Sequence, residues 1–421
     1  DGTPTGLHRA HNPPTGLPAL GANRTVPAVR VSVELITAAG KPVARVNVPQ
    51  ATHVVATSAG GYFRRRIKHD GTPEDCALLP HDIPSRLGQL GVQDTTRQPV
   101  PGATVDDLDP AERTRLRQFI ERNNGDPALA GLADDELDSA LGLTVRDADA
   151  VRPSLTGLLL IGTEAALRRW VPTHEVAFQV LEREDVRVNE FSRAPLLRVV
   201  DWLDRAIAPW NVEQEVQVGL FRISVPRIDR RAFREAVANA FTHRDYTRLG
   251  AAHIRLDDDG LVISNPGGFV EGVTLDNLLT TEPRPRNPWL ADVFKRLGLT
   301  ERTGRGVDLI YRGLLKYGRP RPDYSRSDSA SVVLRMPTSA ADLQFLRLIT
   351  EEENRNQVPL PIDSLIALAL FRERRRLDRS DLQRAIQKDE TAATRTLEAL
   401  LERGLVQSHG SATVLARRTY G

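Results

Sequence analysis

The clearest pattern in the chain is an amphipathic helix near its middle. Phe233 and Val237 fall on one face at helical spacing, whereas Glu235, Asn239 and His243 recur every four residues on another. The apolar face is predicted to be buried, and the polar face presents a carboxylate, an amide and an imidazole in a row. A carboxylate one turn before an asparagine can orient a water beside a metal ion held by the amide oxygen, which is phosphate-hydrolysis chemistry in outline. Because solvated helix faces often carry Glu and Asn, the spacing alone leaves both interpretations open.

The segments that follow this helix add further candidate chemistry. Alternation predicts a hairpin of two strands, His253–Asp257 and Leu261–Ser264, and the second strand runs directly into Asn265-Pro266-Gly267-Gly268. Further on, a basic turn interrupted by glycines precedes an apolar helix pattern that begins at Val307. Glycines before a helix let backbone N–H groups approach an anion, and the helix N-terminus adds favourable partial charge. The residues of this turn that we expect to contact phosphate are Arg302, Gly304, Arg305 and Gly306.

Alternating strands and helices upstream of this region predict an α+β multidomain protein. Strands are predicted at Val176–Glu182 and Val186–Phe191, an amphipathic helix at Leu196–Ile207, and a short buried strand or helix at Leu155–Gly162. The expected architecture of residues 153–337 is an α/β sandwich, with a sheet on one side and helices on the other.

The order of these motifs is that of a known ATPase family. Over residues 153–337 the chain resembles the divergent GHKL-type ATPase module of RecG-like, Schlafen AlbA-type bacterial proteins, which are often described as transcriptional regulators. The resemblance implies a domain that binds ATP and Mg²⁺, with Glu235 as general base and Asn239 as the magnesium ligand. The motifs that carry it are REAVANAFTHRDY, ISNPGGF and RTGRGVDLIY.

Two residues depart from the usual GHKL pattern. A DxGxG box normally supplies an aspartate that recognises adenine, whereas this chain has Asn265 there. Its carbonyl can accept a hydrogen bond from the adenine amino group, but the amide can also turn the other way. His243 lies where many members have another acidic residue, which fits nucleotide binding with slow or absent hydrolysis. The residues expected to contact the nucleotide are Asn239, His243, Asn265, Gly267, Gly268, Arg302, Gly304, Arg305 and Gly306.

The segment Thr281–Trp289, TEPRPRNPW, is too rich in proline and arginine to be a helix or a central strand. It occupies the place of the nucleotide lid in GHKL folds. Arg284 and Arg286 are therefore further candidates for pairing with phosphate oxygens through their guanidinium groups. A rigid surface loop with solvated arginines is the alternative.

Residues 1–96 resemble the later part of a Schlafen AlbA-type domain and are predicted to be β-rich. The chain begins at Asp1 and its only methionine is Met336, so we expect the first portion of that domain to lie upstream. A first hairpin is followed by one that pairs residues 54–57 with Tyr62–Arg66. Basic residues beside aromatic ones can hold phosphate and stack bases, although a solvated strand end has the same pattern. The basic residues in question are Arg64, Arg65 and Arg66.

Residues 338–421 show the order of elements of a winged helix-turn-helix. An apolar helix is followed by a capping box with Ser380 at the cap and Gln383 three residues later, then by a helix capped by Asp389 and a final hairpin. In that fold the third helix enters the major groove and the hairpin contacts the neighbouring backbone. Winged helices also serve as dimerisation or docking modules, so this alternative stays open. The residues expected to contact DNA are Thr391, Thr394, Arg395, Arg417 and Arg418.

Composition limits the remaining possibilities. A chain of 421 residues is long enough for about two to four domains, with residues 97–152 as a linker and helical segment, and a net charge of +2 identifies no partner. No apolar run approaches the roughly 20 residues of a membrane span, and the single cysteine, Cys76, fits a cytoplasmic location. The sequence contains no GxxxxGK[ST] stretch and no zinc-ligand spacing, which disfavours a P-loop helicase and a zinc protein.

Three functions remain compatible with the sequence. The first, which we favour, is an ATP-binding, DNA-associated transcriptional regulator in which nucleotide occupancy alters the domain arrangement and hence the DNA affinity. The second is an ATP-hydrolysing enzyme of nucleic-acid metabolism or of defence against foreign DNA. The third is an interaction scaffold that binds no nucleotide. Because winged-helix regulators often bind paired half-sites, a homodimer is a further expectation.

Overall fold

The architecture of the protein is mixed α+β. The computed structural model describes residues 4–11, 13–49, 53–67, 73–79, 83, 86–87, 94–147, 150–218, 221–301, 305–374, 376–409 and 412–415. The chain divides into two compact units, Asp1–Gln93 and Asp94–Gly421. Thirteen α-helices have their bounds within the described residues, and the largest sheet there has five strands.

The described part of the first unit contains one short α-helix and three pairs of strands. Strand β2 pairs with β3, β1 with β4, and β5 with β6, and each pair is antiparallel. The elements are α1 Leu17–Asn23, β1 Thr25–Val26, β2 Ser32–Ala38, β3 Lys41–Asn47, β4 Ala56–Thr57, β5 Phe63–Ile67 and β6 Pro73–Ala77.

The second hairpin predicted in this unit is wrong. Ala56 makes only a single bridge with Tyr62. The turn between them is closed by Thr57, whose N–H donates to the Gly61 carbonyl at 2.8 Å and whose hydroxyl accepts the Gly61 N–H at 3.1 Å. The chain then leaves this turn, and β5, which carries the predicted arginine cluster, pairs with β6 instead.

The second unit begins with a helical segment that packs into the main hydrophobic core. Leu116 and Phe119 belong to the same buried cluster as the side chains of the sheet described below. The buried Glu112 carboxylate binds Arg198 at 2.5 Å and Arg115 at 3.1 Å, which joins this segment to a later helix. Its elements are α2 Pro110–Arg122, α3 Asp134–Ala140, β7 Thr144–Asp147, β8 Ala150–Pro153, α4 Leu155–Ile161 and α5 Glu164–Trp170.

A five-stranded sheet forms the centre of the second unit. The strand order is β10-β9-β13-β14-β15, in which β9 and β13 are parallel and the other neighbours antiparallel. Alternation places Ala252, Ile254 and Leu256 in the core, so the predicted hairpin is confirmed. The elements of this region are β9 Val176–Glu182, β10 Asp185–Ser192, α6 Leu196–Ile207, β11 Glu213–Val218, β12 Phe221–Pro226, α7 Arg230–His243, β13 Ala252–Asp257, β14 Gly260–Pro266, α8 Pro288–Arg296, α9 Gly306–Leu315 and β15 Ser331–Pro337.

Helix α7 lies against this sheet and contacts β14 and β13. It begins after Asp229, whose carboxylate accepts the N–H groups of Arg231 and Ala232 at 3.0 Å each and so satisfies two donors that the helix leaves free. The predicted apolar face, with Phe233 and Phe241, is buried.

The C-terminal part of the second unit is a group of helices followed by a hairpin. These helices share an apolar core that also includes Tyr311 and Leu315 of α9. The predicted capping box is misplaced: Asp378 is the cap, because its carboxylate accepts the Asp381 N–H and the Ser380 hydroxyl at 2.8 Å each. The elements are α10 Leu343–Asn356, α11 Ile362–Glu373, α12 Arg379–Ile386, α13 Glu390–Glu402, β16 Val406–His409 and β17 Ala412–Leu415.

None of the helices within the described residues is both long and apolar enough to cross a membrane.

Candidate functional site

A cavity of about 880 Å³ lies where the polar face of α7, the end of β14 and the start of α9 meet. Residues from separate segments of the sequence form its wall, because the close packing of these three elements brings them together. The predicted site residues that line it are Glu235, Asn239, His243, Asn265, Gly268, Arg305 and Gly306.

The Glu235 carboxyl group lies at the first turn of α9. Its side chain is 6% exposed, and its Oε2 accepts the N–H of Glu301 at 3.4 Å. Burial raises the pKa of Glu235 above its ordinary value, and the hydrogen bond from Glu301 opposes that rise. The carboxyl group is therefore a better proton acceptor than an exposed glutamate.

Two glycines allow α9 to approach α7 so closely. A Cβ atom at Gly306 would overlap Oε1 of Glu235, and one at Gly313, two turns later on the same face, would lie 2.5 Å from the Ala232 Cβ. Side chains at these positions would hold the two helices apart. The glycine spacing of α9 thus fixes where its first turn lies relative to the carboxylate.

Asn239 lies one turn after Glu235 on the same face of α7. Its side chain is partly exposed and lines the cavity. Within the described part of the chain, nothing hydrogen-bonds the Asn239 side-chain amide. Its oxygen is consequently available to a hard cation or to a ligand in the cavity.

The predicted adenine-binding residue, Asn265, ends the neighbouring strand. It is 4% exposed, and its side-chain N–H₂ donates to the Pro266 carbonyl at 3.3 Å. No described residue donates to its side-chain oxygen, so in this orientation the carbonyl is left to accept a hydrogen bond. In this orientation the amide N–H₂ has a partner, and the amide oxygen has none among the described residues.

The two glycines that follow have different positions. Gly268 lines the cavity, whereas Gly267 lies behind its wall, where a Cβ atom would be 2.8 Å from that of Asp245. The N–H of Gly267 donates to the Ala330 carbonyl at 2.7 Å, and its φ of 96° is in the left-handed region that favours glycine. The structure thus gives Gly267 a role in the turn and places it away from the cavity.

His243 lines the cavity as a neutral imidazole. Burial lowers its pKa from 6.5 to about 4, and the nearby Arg286 guanidinium adds to this. At neutral pH the ring therefore brings no positive charge to a bound anion.

Arg286, a candidate phosphate ligand, is bound inside the protein instead. Its side chain is 4% exposed, its Nε donates to the His243 carbonyl at 3.1 Å, and its Nη2 donates to the Gly268 carbonyl at 2.8 Å. Asp245, whose carboxylate lies 3.9 Å from Nη1, supplies the opposite charge. Arg286 therefore ties the end of α7 to the turn after β14, because both carbonyls face its guanidinium group.

The structure describes only some of the other predicted phosphate ligands. Arg284 is exposed and lines the cavity, as does Arg305 at the start of α9. Arg302 and Gly304 lie outside the described residues, and their contacts with phosphate stay predictions.

The cavity also contains residues that the sequence did not reveal. Phe269 and Tyr324 line it with ring centroids 6.2 Å apart, and Lys295 adds a cation from α8. Phe269 directly follows the NPGG turn, so the position of this turn in the sequence could have identified Phe269 as a residue of the cavity. Further lining residues come from the C-terminal helices, among them Asp363 and Lys388, and no local pattern could have placed them here.

The residues predicted to contact DNA are only partly described. Thr391 and Arg395 are exposed on α13, and Thr394 between them is half-buried. No acidic side chain in the described residues pairs with Arg395. The remaining predictions lie outside what the structure describes, as whole residues or as side chains: Arg417 and Arg418, and the side chains of Arg64, Arg65 and Arg66.

Part of this site lies in a stretch that matches a known family. A family model described as "Putative ATP-dependent DNA helicase recG C-terminal" matches residues 250–335. This stretch is RecG-like and ATPase-like. It contains Asn265 and Gly306, whereas Glu235 and Asn239 lie just before it. A second family model, described as a domain of unknown function (DUF8451), matches residues 89–177.

A solved structure shares the fold. The chain is similar to the crystal structure of the DIP2311 protein from Corynebacterium diphtheriae, with a TM-score of 0.64 and 24% sequence identity, over 93% of this chain and 77% of that one. No curated protein matches the chain.

Proposed function

We propose that this chain binds ATP with Mg²⁺ in the cavity and DNA through its C-terminal helices, and that it acts as a nucleotide-responsive, DNA-associated regulator. One observation carries the nucleotide part: Glu235, Asn239 and Asn265 line one cavity beside the first turn of α9. The family match over residues 250–335 supports an ATPase-like segment there. The volume of about 880 Å³ lies within the roughly 300–1,000 Å³ of small-molecule sites.

Magnesium fits this cavity as a partner of the nucleotide. Proteins usually hold Mg²⁺ through one or two side-chain oxygens and the phosphates of a substrate. The free amide oxygen of Asn239 is a suitable ligand. No group of three or more acidic, histidine or cysteine side chains in the described residues forms a metal site by itself, which fits an ion that arrives with phosphates. When bound, the ion neutralises phosphate charge.

In this proposal the base of the nucleotide contacts Asn265, Phe269 and Tyr324, which line the same cavity. The Asn265 side-chain oxygen can accept a hydrogen bond from an adenine amino group. The rings of Phe269 and Tyr324 provide apolar surface for a planar base. These contacts favour adenine over a base that presents a carbonyl at the same position.

ATP hydrolysis is a second candidate function, and Glu235 favours it. The raised pKa of Glu235 suits a general base that takes a proton from an attacking water. The Asn239 amide lies one turn away on the same helix face. A helicase motor is not part of the proposal, because the sequence has no P-loop.

The DNA part of the proposal depends on the winged-helix order of α11, α12, α13 and the β16–β17 hairpin. Helix α13 exposes Arg395 and Thr391 without an acidic partner for the arginine among the described residues. Phosphate contacts from such a helix position a protein on duplex DNA. The arginines of β5, in a Schlafen AlbA-type domain, are a further proposed nucleic-acid contact, and a homodimer is the proposed binding unit.

Thermal unfolding with nucleotide tests the proposal. A ligand that binds only the folded state raises Tm, so ATP with Mg²⁺ should stabilise the wild-type protein and should stabilise Asn239→Ala much less. Fluorescence anisotropy of a labelled duplex, with and without ATP, tests the coupling. Equal DNA affinities in the two conditions would contradict a nucleotide-responsive regulator, and no stabilisation by ATP would leave the scaffold function.

A further inference from the structure

The C-terminal helices provide one wall of the cavity. Residues from the loop before α11, from the first turn of α11 and from the turn between α12 and α13 line it together with Arg305, Asp308 and Gly306 of the ATPase-like region. The lining residues from the C-terminal helices are Pro359, Leu360, Pro361, Ile362, Asp363 and Lys388. A ligand that fills the cavity therefore meets side chains of both regions.

Lys388 is the cation of this wall. Its ammonium group lies 2.6 Å from the Asp363 carboxylate, and the two side chains are 36% and 19% exposed. Asp308, on the first turn of α9, is a second carboxylate in its surroundings, with Arg305 and Arg312 nearby. Lys388 is thus held at the cavity by an acidic partner and remains partly open to it.

We infer that Lys388 is a ligand-binding residue of the cavity, which pairs with the phosphates of a bound nucleotide and exchanges its contact with Asp363 for them. This inference rests on the proposed nucleotide site. A polyphosphate carries several negative oxygens, whereas Asp363 carries one charge, so the phosphates compete favourably for the ammonium group. Asp308 and Asp363 repel the same ligand. Lys388 adds to Arg305 and Arg312 in offsetting this repulsion.

Gln387, the residue before Lys388, joins the turn between α12 and α13 to the segment that contains Leu275 and Leu279. The Gln387 side chain accepts the Leu279 N–H at 2.7 Å and donates to the Leu275 carbonyl at 2.6 Å. One amide thereby binds two backbone groups of this segment, whose next residues, Thr280 and Thr281, line the cavity. Because Gln387 and Lys388 are neighbours, a contact between Lys388 and phosphate acts on the turn that positions α13.

Calorimetric titration with ATP and Mg²⁺ separates a ligand role from a structural ion pair. Lys388→Ala should weaken ATP binding about tenfold to hundredfold, the range of a charge-assisted hydrogen bond, and should leave adenosine binding unchanged because adenosine has no phosphate. Asp363→Asn removes the competing carboxylate and should keep or increase the ATP affinity. Arg384→Ala, an equal loss of charge on α12 at a side chain that is 75% exposed, is the matched control and should bind ATP like the wild type.

The outcomes are distinct. The inference is supported if Lys388→Ala binds ATP more weakly than the wild type but binds adenosine equally well, and if Asp363→Asn keeps its ATP affinity. Equal ATP affinity in Lys388→Ala and wild type overturns it and leaves the nucleotide site in place. An equal loss in Lys388→Ala and Asp363→Asn also overturns it, because an ion pair that only supports the fold predicts that result. If the wild type binds no ATP, the proposed function fails and the inference with it.

Discussion

Gly306 lies directly against the carboxyl group of Glu235, so closely that a Cβ atom at Gly306 would overlap Oε1. The first turn of α9 and the polar face of α7 therefore meet at this one point. The backbone that we propose to bind phosphate lies beside the Glu235 carboxyl group because position 306 has no side chain.

Gly306→Ala should move Glu235 and weaken nucleotide binding. The added methyl group requires the carboxylate or α9 to shift, and overpacking of this kind costs about 1–3 kcal/mol. Gly131→Ala is the matched control, since a Cβ atom there meets nothing within 4 Å. Urea unfolding and ATP titration of both variants check the prediction, and equal stability and affinity in Gly306→Ala and wild type would contradict the packing.

Arg286→Ala should destabilise the protein by about 3 kcal/mol. The substitution removes the donors to the His243 and Gly268 carbonyls and leaves buried groups without partners. Arg286→Lys should restore only part of the stability, because a single ammonium group does not reproduce the planar guanidinium fork.

Arg347→Ala is the control for this prediction. Arg347 is exposed on α10, and surface substitutions usually change stability by less than about 0.5 kcal/mol. Denaturant unfolding measures both variants. Similar free energies of unfolding for Arg347→Ala and Arg286→Ala would show that the Arg286 contacts do not stabilise the fold.

Acid should destabilise the protein through two buried imidazoles. Burial lowers the pKa of His243 and of His174 from 6.5 to about 4. Between those values the unfolded chain binds a proton that the folded chain does not, so stability falls as the pH falls from about 6.5 to about 4 and is unaffected by these groups above that window. Each imidazole contributes a slope of about 1.4 kcal/mol per pH unit there.

The pH dependence of unfolding measures this effect. His174→Gln and His243→Gln should each remove one such slope from a plot of unfolding free energy against pH, and the double variant should remove both. Among the described residues, the His174 side chain makes one hydrogen bond, in which its Nε2–H donates to the Ala194 carbonyl at 2.8 Å. A glutamine amide can replace this donor. An unchanged slope in both variants would mean that the imidazoles are protonated in the folded protein.

The sequence predicts the parts of this site that depend on local spacing. Glu235 and Asn239 share a helix face because of the four-residue period, and the β13–β14 hairpin leads into Asn265 because alternation and a turn define it. The cap of α12 shows the limit of local rules, since Asp378 and Ser380 both have suitable side chains and only the backbone path selects the aspartate.

Tertiary packing determines what the sequence did not predict. Arg286 looks like a solvated lid arginine in a proline-rich segment, and its burial follows only from the positions of two distant carbonyls. Lys388 is about 150 residues from Glu235 in the sequence, and it reaches the cavity because Tyr311 and Leu315 of α9 pack into the C-terminal core. Such contacts join regions that are distant in the sequence, and the sequence pattern of one region does not predict its contacts with the other.

Arg395→Ala combined with Arg418→Ala should weaken duplex binding and reduce its salt dependence. Each lost phosphate contact lowers the slope of log affinity against log salt by roughly 0.9. Arg168→Ala combined with Arg205→Ala removes two charges from exposed side chains outside the C-terminal helices and is the control. Anisotropy titrations at several salt concentrations test this, and an unchanged affinity and slope in the double variant would assign the C-terminal helices another role.

The most direct test of the central claim is calorimetric titration of the wild type and of Asn239→Ala with ATP and Mg²⁺, with phosphate release followed on the same samples. We predict saturable binding by the wild type, and binding that is lost in Asn239→Ala while thermal stability without nucleotide stays the same. The rate of phosphate release then distinguishes a protein that only binds ATP from one that hydrolyses it. Equal ATP affinity in the two proteins, or no binding by the wild type, would contradict the nucleotide site.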